Sequence, residues 1–256
     1  MSVDIGQAIE EGGKRTVARN GLYLVVVLWA LGVLSALFGN TVARGMFQQF
    51  QGQLGSGMGP GGMGPGGFGA GTMMGPSLGL SPGLAWVLSL VVSLVSLVVA
   101  AGALRTFVTD DTETLPGERF TRNLGWMLVN LVVGGIIFGI AVGIGFVLLV
   151  IPGLFLLVSL FFWAFYVAVE DENFWAGFQN SWALTRGNRI MLFVLGVVVA
   201  IISIIISWVF GIPQLVGLTG WIGLLVAQFG SALGSVFVLA TASRTFLQLA
   251  EDEDTV

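Results

Sequence analysis

The chain has 256 residues, 55% of them apolar and only 9% charged, with 14 acidic against 10 basic side chains and a net charge of -4; its mean hydropathy is +0.95. A soluble domain carries roughly 25% charge, so this composition excludes an ordinary water-soluble globule. There is no cysteine and no histidine, which excludes disulfides, thiolate or HExxH metal sites and Ser-His-Asp triads, and the absence of a basic run leaves no footprint for nucleic acid.

No charge falls within 20–43, 45–104, 123–169 or 190–243. A helix crossing the hydrocarbon core needs about 20 mainly apolar residues. The chain therefore reads as an all-α, polytopic membrane helix bundle of about six transmembrane helices with short interfacial elbow helices. A single membrane domain is expected over 21–249, between a cytoplasmic N-terminal segment, 1–20, and an acidic cytoplasmic tail, 250–256.

Residues 4–19 are expected to form a short amphipathic helix on the inner membrane face, with Ile5, Ala8, Ile9, Gly12 and Val17 toward lipid. The mixed charges of 1–20 and the lack of an Ala-x-Ala site point to a retained first span rather than a cleaved signal peptide. That span covers 21–38 and ends at Gly39-Asn40. Residues 45–83 follow as an external loop, expected to be disordered. Within 52–83 there are 14 Gly and 4 Pro, a composition that offers little to bury against the entropy lost on ordering. Its thioethers, Met46, Met58, Met63, Met73 and Met74, also suit Cu(I), but their spacing is irregular and a linker is the expectation. No cofactor is expected.

The second span covers 84–104. The third and fourth, 124–150 and 154–169, are expected to meet in a tight hairpin at Ile151-Pro152-Gly153. The fifth, 190–210, precedes a break at Gly211-Ile212-Pro213, and the sixth covers 221–241. Six spans put Lys14, Arg15, Arg19, Arg105, Arg119, Arg122, Arg186, Arg189 and Arg244 on one side and Arg44 on the other. By the positive-inside rule the protein is a multi-pass cell-membrane protein with both termini cytoplasmic. Arg19-Asn20, Arg122-Asn123 and Arg186-Gly187-Asn188 open the first, third and fifth spans alike. Duplication of a two-helix unit or a shared need for an anchor and a cap would each produce this.

Inside the spans the polar residues are mild. Asn130 and Gln228 can line a pore or make interhelical hydrogen bonds, and hydrogen bonding is the expectation. Gly135, Gly139 and Gly143 recur every four residues in the third span, as Gly223, Ala227 and Ser231 do in the sixth. Small residues at that spacing predict close helix packing, with spans three and six central and in contact. Glu170-Asp171-Glu172 offers carboxylates to Mg²⁺ but also suits the start of the next helix, and the second role is expected.

Between spans four and five, Phe174, Phe178 and Trp182 recur every four residues, with Trp175 alongside. Arg186 and Arg189 follow, and Gly187 is placed as a helix-ending residue. This predicts an interfacial elbow helix with its aromatics at headgroup depth. Ile151-Pro152-Gly153, Glu170, Ala176, Ser181-Trp182 and Leu184-Thr185-Arg186-Gly187-Asn188 together resemble the membrane domain attached to some glycerophosphodiester phosphodiesterases, and a wider set of uncharacterised six-helix bacterial and archaeal membrane proteins. The likeness covers mainly 120–210. It implies no activity, because catalysis in those enzymes belongs to a separate soluble barrel with His and acidic residues that this chain lacks.

The functional expectation is a non-catalytic integral membrane protein of the cytoplasmic membrane, not an enzyme, acting as a scaffold or as a partner of another membrane complex. The alternative is a facilitator or channel for a small or amphiphilic solute or a lipid. The expected partners are membrane lipids and another membrane protein or a second copy, with no nucleic acid.

Overall fold

The computed structural model describes residues 3–54, 75–215, 217 and 220–253. Among them are α1 (Ile5–Val17), α2 (Arg19–Leu54), α3 (Pro82–Phe107), α4 (Glu118–Thr121), α5 (Leu124–Leu148), α6 (Val150–Ser159), α7 (Trp163–Val169), α8 (Phe174–Leu184), α9 (Arg189–Leu215) and α10 (Gly220–Glu253), with no strand among the described residues. Among the described residues six stretches are long and apolar enough to cross a membrane: Arg19–Phe50, Pro82–Phe107, Leu124–Leu148, Val150–Val169, Arg189–Pro213 and Gly220–Glu251. The protein is thus an all-α, multi-pass membrane bundle, as its charge-free stretches predict.

Several boundaries differ from expectation. Helix α2 does not stop at Gly39-Asn40 but runs 36 residues to Leu54, roughly 54 Å at 1.5 Å per residue. Residues 45–54 are therefore helical, and 75–78 return onto the same helix. Asn40 Nδ2 donates to the Pro76 carbonyl at 3.0 Å, Arg44 Nη2 to the Gly75 carbonyl at 2.8 Å, and the Leu78 amide to Thr41 Oγ1 at 3.0 Å. Met46 lies exposed on α2, while Met58, Met63, Met73 and Met74 lie outside the described residues.

The turn between the third and fourth spans sits at Leu149, whose backbone is extended, and Pro152 falls in the first turn of α6. Amides of a first turn have no partner within the helix, so proline costs nothing there and starts this helix rather than breaking it. Helix α9 likewise continues through Gly211 and Pro213, and α10 carries the acidic stretch as helix to Glu253.

The backbone forms two compact units. The first comprises Met1–Val25, Leu97–Ile205 and Leu233–Val256; the second, Val26–Ser96 and Ile206–Ala232. Four long helices, α2, α3, α9 and α10, give a segment to each.

In the first unit, Met127, Leu131, Phe162, Trp163, Tyr166, Phe178, Leu195 and Phe246 share one buried cluster. Phe246 stacks on Phe165 at 5.1 Å and meets the Tyr166 ring edge-on at 5.4 Å. Helix α1 packs on this core. Ala8 is fully buried, Ile5 and Ile9 pack on the cluster, and Gly12 lies so close to Thr241 that a Cβ would fall 2.9 Å from its Cα. Of the face expected toward lipid, only Val17 is well exposed.

In the second unit, Trp29 Nε1 donates to the Leu225 carbonyl at 2.9 Å and its ring meets Phe229 edge-on at 6.3 Å. Gly230 admits the Phe210 side chain, and Gly32 admits that of Gln228.

Candidate functional site

The fourth span is broken. Helix α6 ends at Ser159 and α7 begins at Trp163. The Val158 carbonyl accepts from Phe161 and Leu160, so the Phe162 amide has lost its helical partner. An unpaired amide in so apolar a setting is expensive, and α8 supplies the remedy. It runs antiparallel along α7 and α6: Gly177 lies against the Trp163 carbonyl, Ser181 beside Phe162 and Ser159, and Trp182 on Phe155. Ser181 Oγ accepts from the Phe162 amide at 3.1 Å and donates to the Ser159 carbonyl at 3.1 Å. Thr185 Oγ1 lies 3.2 Å from the same carbonyl and 2.9 Å from that of Ser181. Ser159, Ser181 and Thr185 are all fully buried. Two hydroxyls one helical turn apart thus stitch the break in a neighbouring element.

The start of α8 is equally closed. Asn130, 4% exposed on α5, donates Nδ2 to the Trp126 carbonyl and accepts the Phe174 amide on Oδ1 at 3.0 Å. Asn173 Oδ1 accepts the amides of Trp175 and Ala176 at 3.0 and 2.9 Å. The first free amides of the helix are therefore satisfied, and Asn130 ties α5 to α8 through Oδ1. Beyond Thr185, Gly187 adopts φ +90°, the left-handed conformation that glycine enters without a Cβ clash.

Acidic and basic side chains at the span ends form a second layer of ties. Arg105, 5% exposed, donates to the carbonyls of Ala168, Arg119 and Arg122 and to Asp171 Oδ1. Arg122 reaches Asp171 Oδ2 at 2.9 Å. Glu172 accepts Asn180 Nδ2 at 2.9 and 2.8 Å. Burial, and then Glu172, raise the pKa of Glu170 above its ordinary range. Arg15, also buried, holds the carbonyls of Thr109 and Asp111 and the Asp110 carboxylate. The Asp111 carboxyl is lowered to about 2, first by the Thr114 hydroxyl and amide, then by the Glu113 amide. Among the described residues no three or more acidic side chains gather as a metal site.

Beside the stitched break lies an apolar cleft of about 370 Å³ between α6, α9 and α10, lined by Leu154, Leu157, Phe161, Phe193, Gly196, Ala200, Val238 and Ala242 among others, with Thr241 and Thr245 its only polar residue types. A more open hollow of about 410 Å³ lies between α5 and α8, bordered by Phe138, Trp175 and Trp182.

The aromatic stripe points differently from expectation. Phe178 is buried on Trp163, with ring centroids 5.2 Å apart, Phe174 meets Phe178 at 6.1 Å, and Trp182 meets Phe155 edge-on at 5.4 Å. The stripe is the inner face of α8, set against other helices, and Trp175 is the aromatic turned outward. The Arg189 guanidinium lies 4.6 Å from the Phe155 ring and 4.4 Å from that of Trp182, while Arg186 is exposed.

The glycine stripe also needs correction. A Cβ at Gly135, Gly139 or Gly143 would meet nothing within 4 Å, whereas one at Gly134 would fall 2.5 Å from the Trp163 ring and one at Gly145 2.8 Å from the Gly153 Cα. The close approaches are made one residue earlier, and along the hairpin. On α10, Gly223 is buried, Ala227 is half-buried and Ser231 is exposed; this stretch belongs to the second unit and the α5 stripe to the first. The stitch formed by Ser181 and Thr185 was not anticipated, although both lie in the segment that carried the family resemblance.

Comparison with curated proteins and with solved structures finds no match, and no link to the phosphodiesterase membrane domain emerges. A family model described as a domain of unknown function, DUF7847, matches residues 3–249. That match spans nearly the whole chain, and the protein belongs to the DUF7847 family.

Proposed function

We propose that the protein is a non-catalytic component of the cytoplasmic membrane, with both termini inside, that acts as a scaffold or partner for another membrane protein. The observation that carries this reading is how the buried polar groups are used. Arg15, Arg105, Asn130, Ser181 and Thr185 each bind backbone carbonyls or amides of neighbouring elements. Groups so engaged hold helices in place, whereas a carrier or pump depends on ionisable side chains kept within its spans.

The surface best suited to a partner is that of α9. Only 11% of its most apolar window is buried, against 22–39% for the other spans. Ile190, Val194, Val197, Ile201 and Ile204 are all exposed along it, spaced alternately four and three residues apart, the spacing of a helix–helix seam. Isolation in mild detergent tests the reading. A stoichiometric second membrane protein, or a defined oligomer of this chain, is expected. A monomer carrying lipid alone would contradict it.

A further inference from the structure

We propose that the protein holds one anionic phospholipid, its phosphate against Arg186 and Arg189 and an acyl chain in the cleft between α6, α9 and α10. This goes beyond the scaffold reading and does not depend on it.

The charges point to the headgroup. Lys14, Arg15, Arg105, Arg119, Arg122 and Arg244 each face a carboxylate. Arg19 bonds the Tyr23 hydroxyl instead, while Arg186 and Arg189, three residues apart, face no carboxylate within 4 Å among the described residues. Two neighbouring cations repel, and an anion between them reverses the sign of that interaction. Arg189 is also fixed in advance. Its guanidinium is held against the rings of Phe155 and Trp182, and Nη2 donates to the Trp182 carbonyl at 3.3 Å. Its Nε is buried without a partner among the described residues. A guanidinium so ordered loses less freedom on meeting a phosphate.

The cleft points to the tail. Leu192, which lines it, lies three residues beyond Arg189 on α9, and Leu154, on its other wall, adjoins the Phe155 that holds the guanidinium. The volume of about 370 Å³ falls within the roughly 300–1,000 Å³ of small-ligand pockets. Phe161, Phe193 and Val197 on its walls are each about 40% exposed, so the cleft opens sideways toward the bilayer. A soluble anion would leave this apolar space unfilled, and in a zwitterionic lipid the headgroup cation offsets the phosphate charge that the two arginines would meet. An amphiphile with an anionic head answers both. By the positive-inside distribution the arginines lie at the inner leaflet, where anionic lipids attract basic residues.

The test uses the full chain in a neutral detergent, titrated with phosphatidylglycerol, phosphatidylcholine or inorganic phosphate and read by native mass spectrometry and thermal unfolding. One phosphatidylglycerol should be retained per chain and raise the unfolding temperature, with phosphatidylcholine and inorganic phosphate doing neither. Arg186→Gln and Arg189→Gln should each weaken phosphatidylglycerol binding about fivefold. Gly196→Phe should weaken it with both arginines intact, because a side chain there meets nothing within 4 Å and can enter the cleft. Arg186 is exposed, so its variant reports on the headgroup even if the packed Arg189 proves necessary for folding. Equal retention of phosphatidylcholine, or unchanged binding by Arg186→Gln, would overturn the headgroup assignment. Unchanged binding by Gly196→Phe would overturn the cleft assignment, and stabilisation by inorganic phosphate equal to that by phosphatidylglycerol would show a free-anion site instead.

Discussion

Replacing Ser181 with alanine removes one oxygen and leaves two backbone groups to be accounted for. The Phe162 amide loses its acceptor at 3.1 Å and has no helical carbonyl to turn to, while the Ser159 carbonyl keeps Thr185 Oγ1 at 3.2 Å. An orphaned buried donor costs about 1–3 kcal/mol, although single side-chain hydrogen bonds between membrane helices average nearer 0.6 kcal/mol. The site is fully buried and the loss falls on backbone, so about 2 kcal/mol is expected, or roughly 4–8 °C in unfolding temperature for a chain of this size. Thr185→Val removes a donor shared between the Ser159 carbonyl, which Ser181 still serves, and the helical Ser181 carbonyl, and should cost about 0.5–1 kcal/mol. The double variant strips the Ser159 carbonyl of both partners and should exceed the sum of the two, as expected for residues in one network. Ser93→Ala is the control, since its hydroxyl is exposed and bonds only the Ser89 carbonyl of its own helix. The assay is thermal or SDS-driven unfolding in mild detergent, run as a double-mutant cycle. If Ser181→Ala unfolds with the Ser93→Ala control, the hydroxyls do not hold the break and the reasoning fails.

Packing gives a second comparison. Gly134→Leu must displace the Trp163 ring and should cost about 1–3 kcal/mol, whereas Gly139→Leu enters open space and should leave detergent stability unchanged; equal effects would refute the assigned face. The Asp111 carboxyl, lowered from 3.8 to about 2, contributes stability that is present above the unfolded value and lost as pH falls through the folded one. Asp111→Asn should therefore unfold earlier than the wild type at pH 7, with the gap closing toward pH 2, and a gap constant with pH would contradict this. For the orientation, single cysteines at Glu10, Gly79 and Glu251 in this cysteine-free chain should label from outside the cell only at Gly79.

The membrane class and the six spans were legible because charge is excluded from hydrocarbon more strictly than any propensity acts, and the charge-free stretches mark their own limits. What composition did not reveal was phase. Gly134 and Gly135 are neighbours in sequence, yet one residue rotates a helix face by about 100°, so a four-residue repeat identified a stripe without the side it faces. The same ambiguity holds for the stripe of Phe174, Phe178 and Trp182, whose spacing gives one face but not that in the fold it closes on Trp163 and Phe155. It also set Ala8 and Gly12 toward lipid, whereas Ala8 is fully buried and Gly12 lies against Thr241. An apolar face fits protein and lipid alike. The break at Leu160-Phe161-Phe162 contains neither Pro nor Gly, and what stabilises it lies about twenty residues further along, so it carries no local signal. Pro152 misled in the opposite sense, since the same residue that breaks a helix interior is harmless in a first turn.

The scaffold reading places its partner on the exposed seam of α9, and contact at that seam is the quantity to measure. A photoreactive maleimide placed on Ile201→Cys, 52% exposed on α9, should yield one discrete protein adduct in native membranes. The same probe on Ile140→Cys, 58% exposed on α5, should yield lipid adducts alone. If both positions give only lipid, α9 faces the bilayer without a partner, and the proposed role is wrong.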